Sequence, residues 1–249
     1  MNVKTICNYL EKIAPLNLQE DYDNSGLIIG SYENNISSVL ICLDCTEEVI
    51  EEAIAGKYNF ILSHHPIVFR GIKKLNGNTY TERIVIKAIQ NNLNIYAAHT
   101  NLDNILKHGV NEKIANMLKL KNLKILSPQK NNSKTNTGAG IIGQFQNPFM
   151  ETEFLKYLKY IMKAPCIKHT RPLGRKLKTV AICGGAGSFL LQEAIKKNAD
   201  VFVSSDFKYH QFFDADGKIL IADIGHYESE QCTKDIFYEL LTKKFPKEE

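Results

Sequence analysis

The chain has 249 residues, 44% hydrophobic and 23% charged, a globular composition with enough length for a sizeable core. Its formal charge is only +4, with 31 Lys and Arg against 27 Asp and Glu, and the lysines are scattered, which argues against a nucleic-acid partner. No run of eighteen apolar residues exists, and Glu11 and Lys12 interrupt the apolar positions at the start, so neither a membrane span nor a signal peptide is expected.

Val3, Ile6, Leu10 and Ile13 fall at helical spacing and predict an amphipathic helix stopped by Pro15. SSVLICLD reads as a buried strand running to Asp44, followed by a helix over 47–55 closed by Gly56. NFILS is a second strand stopping at His64. A helix over 81–91 and the strand LNIYAA, ending at His99, come next, then a helix over 109–118. The stretch 128–138, PQKNNSKTNTG, is polar and aperiodic and reads as a loop. Beyond it come the strand AGIIGQF, the helix METEFLKYLKYIM, the strand KTVAICGG and a helix over 188–197. ADVFVSSD, ending at Asp206, and KILIADIGH, ending at His226, are further strands, and a helix over about 229–243 closes the pattern. Strands alternating with helices predict an α/β fold, with two halves of mixed sheet at about 1–127 and 139–249 flanking the loop.

Six cysteines are spread over a chain that needs no staples, which predicts free thiols in a reducing cytoplasm. Cys42 and Cys45 form a CxxC without a second pair, so core cysteines are expected there, not zinc ligands.

The metal-capable side chains gather at one kind of place. Asp44, His64, His65, His99, Asp103, Asp206 and His226 all follow the carboxyl ends of predicted strands, the edge where open α/β sheets bind ligands. In SHHPIVF two adjacent imidazoles leave a strand together, and in AHTNLD a histidine and a carboxylate lie four apart. In DIGHYESE, His226 and Glu230 share a helical face at i, i+4 and form a natural chelate, whereas Asp223 and Glu228 fall off that face. Asp206 is placed to orient a ligand imidazole or a water. The turn GGAGSF, residues 184–189, matches neither a P-loop nor a dinucleotide fingerprint and reads as a tight strand-to-helix connection. His108 and His169 lie away from the strand ends.

DYDNSGLIIG, SHHPIVF, AHTNLD, SSDFKYH and IADIGHYESE, in that order, resemble the GTP cyclohydrolase 1 type 2 family, the Nif-like dinuclear metal centre proteins, over the whole chain. The resemblance implies a two-metal site at the strand carboxyl ends between the two halves, with ligands His64, His65, Asp103, His226 and Glu230. It implies two divalent ions per chain (zinc, iron or manganese) and a toroidal homohexamer. The activity it implies is hydrolytic opening of the guanine imidazole ring of GTP with release of formate. His99, Asp206 and His210 are then the candidates for moving protons. Two features depart from many relatives. No extra domain separates the halves, so this is the short form, and Ser205 precedes Asp206 where a TGD-like turn is usual, an expected change in that loop's dihedrals. Hydrolysis of a nucleotide phosphoester, or metal binding as a scaffold or delivery protein without turnover, are the competing expectations.

Overall fold

The structure, a computed structural model, describes residues 1–129 and 136–246. It divides into two compact units, Met1–Leu102 with the segment from Thr233 onward, and Asp103–Cys232.

The first unit contains helix α1 (Val3–Ile13), strands β1 (Gly26–Ile29) and β2 (Val39–Cys42), helix α2 (Glu47–Ala55), strand β3 (Phe60–Ser63), helix α3 (Tyr80–Gln90) and strand β4 (Asn94–Ala97). Its sheet runs in the order β1-β4-β3-β2, with β2, β3 and β4 parallel and β1 antiparallel at the edge. Every residue of β3 and β4 is buried, which is why both read as continuous apolar runs rather than alternating ones. The helices start where polar side chains satisfy their first N–H groups. Asn2, Thr46 and Thr79 accept from Thr5, Val49 and Glu82 at 3.0, 3.3 and 3.2 Å.

The one-turn helix α4 (Thr100–Asp103) ends on the first residue of the second unit. Then come α5 (Val110–Met117), β5 (Lys121–Pro128), β6 (Gly138–Met150), α6 (Glu151–Ile161), β7 (Lys168–His169), β8 (Lys176–Ala186), α7 (Leu191–Lys196), β9 (Val201–Ser205), β10 (Leu220–Asp223) and α8 (His226–Glu230). The sheet order is β5-β6-β8-β9-β10-β7, parallel across β8, β9 and β10 and antiparallel elsewhere. The last helix, α9 (Thr233–Lys244), returns to the first unit, where it packs on β2 and its Leu240 carbonyl accepts the Tyr9 hydroxyl at 3.2 Å.

The expected mixed α/β architecture is present, with differences of detail. Strands β1, β5 and β7 were not predicted. The expected boundary at 127/139 lies instead after Leu102, because β5 pairs with β6 and so belongs to the second sheet, and because α9 belongs with the first. Of the expected loop 128–138, residues 130–135 lie outside the described residues, while Pro128 and Gly138 are strand residues that pair with each other. The last strand stops at Asp223, and the final helix is two helices, α8 and α9.

All six cysteines are free, and five are buried, Cys166 being the exposed one. Burial, reinforced by Glu11, pushes the Cys7 thiol up to about 12. Thiolates do the alkylating, so iodoacetamide at pH 8 is expected to modify Cys166 first in the native protein. Mass spectrometry that finds Cys42 or Cys45 labelled as fast would contradict their burial.

Candidate metal-binding residues

In the first unit, the chain leaves β3 through a distortion that makes the double histidine usable. Neighbouring residues of a regular strand direct their N–H groups to opposite sides. Here the N–H groups of His64 and His65 both donate to the Leu43 carbonyl, at 3.1 and 3.0 Å, and the Ser63 hydroxyl donates to the His65 carbonyl at 2.9 Å. The alternation is broken, and the two rings lie with centroids 4.9 Å apart. His99, just past β4, lies 5.2 Å from each of them. Each of the three offers a ring nitrogen within 4.8 Å of the others.

Each ring is held through Nδ1. His64 Nδ1 lies 2.8 Å from the Ala98 carbonyl, His65 Nδ1 2.8 Å from Asp44 Oδ1, and His99 Nδ1 2.7 Å from Asp23 Oδ1. A carbonyl can only accept, so His64 carries its proton on Nδ1 and turns the Nε2 lone pair toward the cluster. Asp23 also accepts from the Asn24 and Thr100 N–H groups, at 2.7 and 3.0 Å. Burial opposes its charge, but His99 above all, then the Thr100 hydroxyl and the Asn24 N–H, hold the carboxyl far below the usual range.

In the second unit, Asp223 ends β10 by turning its carboxylate back to accept from the Phe207 and Gly225 N–H groups, at 3.0 and 3.1 Å. Gly225, at φ +92°, then turns the chain into α8. His226 is therefore the first helical residue, not a strand end, and Glu230 sits one turn on with Oε2 3.0 Å from His226 Nε2. His226 Nδ1 lies 2.6 Å from Asp206 Oδ2, the same anchoring seen in the first unit. The unusual backbone near β9 belongs to Asp206 itself, at φ +57°. Ser205 is a buried strand residue donating to the Gly185 carbonyl at 2.6 Å, and the left-handed turn follows it at Asp206.

Glu230 is buried against the glycine-rich end of β8. The Gly185 N–H donates to Ser229 Oγ at 2.9 Å, and a Cβ on Gly185 would meet Glu230 Oε1 at 2.2 Å. The 184–189 glycines thus make room for a carboxylate. Asp103 is tied to the same strand, since Asn111 donates to its carbonyl at 3.2 Å and accepts from the Gly184 N–H at 2.9 Å. Burial, then the Asp103 and Glu230 carboxylates, pushes the Cys183 thiol far up.

His210, expected to move protons, is exposed, with Tyr209 and Phe213 as ring neighbours at 5.1 and 6.2 Å, and no hydrogen bond joins it to Asp206 among the described residues. His108 and His169 are also exposed. Asp23 is a ring-orienting carboxylate that spacing missed, since its partner His99 is 76 positions away.

The Glu230 hydrogen bond raises the metal-free His226 imidazole, burial opposes it and Asp206 helps, giving a value of about 9 against 6.5. A raised histidine contributes stability that is complete below about 6.5 and lost as pH rises through about 9. Metal-stripped protein is expected to show the His226 ring signals titrating near 9 by NMR, and Asp206→Asn is expected to lower that value. A midpoint near 6.5 in the unsubstituted protein would remove the carboxylate pair as its cause.

An α/β protein whose strand ends carry imidazoles oriented by carboxylate and carbonyl oxygens has side chains that could hold a metal ion. The sequence matches the Duf34/NIF3 (NGG1p interacting factor 3) family over residues 1–249, and the chain belongs to that family. It is similar to the GTP cyclohydrolase 1 type 2 homologs of Clostridium perfringens, 35% identical over 92% of this chain and 87% of that one, and of Clostridium acetobutylicum, 33% identical over 92% and 85%. A crystal structure of Staphylococcus aureus protein SA1388 superposes with a TM-score of 0.88 at 29% identity, covering 98% of this chain and 93% of that one.

Proposed function

We propose that this chain is a dinuclear-metal-dependent hydrolase whose ligands are His64, His65, Asp103, His226 and Glu230, holding two divalent ions of zinc, iron or manganese. The observation that carries the reading is the shared anchoring of the histidines. Each is gripped at Nδ1 by an oxygen, by Ala98 for His64, Asp44 for His65 and Asp206 for His226, which commits Nε2 to ligation. Imidazole and carboxylate together suit those three metals, so the donor set fits the group.

Bound divalent ions supply a Lewis acid and an activated water. The chain's own part is to orient the donors and to handle protons. Asp44 and Asp206 fix the His65 and His226 rings, and Asp23 fixes His99 for proton transfer. The GTP reading draws on the relatives, which are GTP cyclohydrolase 1 type 2 homologs by name. Two hydrolyses of carbon–nitrogen bonds at guanine C8 consume two waters and release formate, with no change of oxidation state. Assembly as a ring-shaped homohexamer in the cytoplasm completes the proposal.

Reconstituted protein is expected to bind two metal equivalents per chain by elemental analysis and to sediment as a hexamer. With GTP it should release formate dependent on that metal. Phosphate release without formate would move the reading to a phosphoesterase. Saturated metal with neither product would leave a metal carrier or scaffold and overturn the hydrolase.

A further inference from the structure

One cavity of the first unit is used by nothing described so far. It has a volume of about 750 Å³, within the range of small-molecule sites, and its wall includes Phe69, Arg70, Ile72, Lys73, Lys74 and Tyr80. It is formed by the segment that follows the double histidine together with the first turn of α3. Arg70, Lys73 and Lys74 are exposed, and none of them is in an ion pair among the described residues. The one acid on the wall, Glu82, is engaged with the loop, accepting from the Asn76 and Asn78 N–H groups at 3.3 and 3.0 Å. Three cations against one engaged carboxylate make a net positive concavity.

The cavity also has an apolar side that leads to the histidines. Phe69 is 44% exposed and lies with its ring centroid 6.0 Å from that of His99, and Tyr80 is 60% exposed across the same cavity. Exposed aromatic faces beside cations suit a planar ring with an anionic tail. A ligand with its ring on Phe69 would present that ring toward His99 and reach back with its anion to Lys73 and Lys74.

We propose that this cavity is the phosphate subsite of the protein, with Arg70, Lys73 and Lys74 holding the phosphates of an aromatic phosphate compound and Phe69 stacking its ring. Its orientation toward the histidines rests on the hydrolase reading. Binding to the cavity does not.

The test separates the two. Pyrophosphate sequesters metal, so it is titrated calorimetrically into metal-stripped full-length protein, and GTP into metal-loaded protein. Native chain is expected to bind pyrophosphate saturably, and more weakly as salt rises. Lys73→Gln with Lys74→Gln is expected to weaken both ligands at least about tenfold, with two metal equivalents retained. Lys156→Gln with Lys159→Gln, on the exposed face of α6, serves as the charge control and should leave both affinities unchanged. Phe69→Ala should weaken GTP several-fold and leave pyrophosphate unchanged, which marks an aromatic phosphate and not free polyphosphate as the natural ligand. Unchanged affinities in the double lysine variant, or equal losses in the control, overturn the subsite. Failure of GTP to yield either formate or phosphate while these affinities behave as expected overturns the hydrolase reading alone.

Discussion

Glu230→Gln is expected to cost the protein at least one of the two metal equivalents proposed for it while its circular dichroism stays native. The carboxylate is 2% exposed, held against Gly185 and one helical turn from His226, 3.0 Å from that ring's Nε2. Glutamine keeps the shape but removes the charge and one acceptor oxygen. Loss of a residue that merely supports a ligand costs about 10- to 100-fold in metal affinity, so loss of a ligand itself should exceed that. Glu228→Gln is the control, because that side chain lies beside Gly225, off the Glu230 face. Metal content of both variants at one buffered free-metal concentration decides the matter. If Glu230→Gln keeps two ions at native affinity, Glu230 is not a ligand. If both variants lose metal equally, α8 does not separate the two carboxylates as described.

Gly185→Ala should do comparable damage without touching a donor. Gly185 has φ +64°, where an L side chain costs about 1 kcal/mol. Its new methyl would also stand 2.2 Å from Glu230 Oε1, so the buried carboxylate or the β8 backbone has to move. Overpacking of this kind costs about 1–3 kcal/mol, and the displaced Glu230 should lower metal affinity as well. Gly217→Ala supplies the matched comparison, with the same φ of +64° and nothing within 4 Å of the added carbon. The difference between the two variants in denaturant midpoint and in metal affinity isolates the Glu230 contact. Equal metal affinities would show that the glycine is there for its backbone alone.

The legibility of this fold in its sequence follows how local each determinant is. Helix α2 was predicted at its observed limits because Gly56 follows its last turn, and the structure adds the Thr46 cap at its start. Strands β3 and β4 were visible as apolar runs because both of their faces are buried. Strand β1 was not, since four residues, Gly26–Ile29, are too few to carry a period and its partners in β4 are 66–71 positions away in the chain. Strand β5 was hidden by exposed lysines at an edge of the sheet. The strand-end rule found the histidines, and it found Asp44 and Asp206, but not which carboxylate holds which ring. Asp44 grips His65 across 21 residues and Asp206 grips His226 across 20, pairings that only the folded sheets create. The break in β3 that brings His64 and His65 side by side depends on Leu43 of a neighbouring segment, and no spacing within SHHP records it. The role of the 184–189 glycines was likewise invisible, because what fills the space above Gly185 comes from 45 residues further on.

The return of α9 to the first unit has a consequence for how this protein is made. The second unit is complete once Cys232 has left the ribosome, with all six of its strands already synthesised. The first unit then still lacks the helix that packs on β2 and accepts the Tyr9 hydroxyl, even though its own sheet was translated more than a hundred residues earlier. Contacts that bridge so long an interval form late. A nascent chain stalled at Cys232 should therefore carry a protease-resistant second unit behind a protease-sensitive first one. The order of maturation is inverted with respect to the order of translation, and the β2 surface that α9 will cover is what a chaperone would meet in the interval.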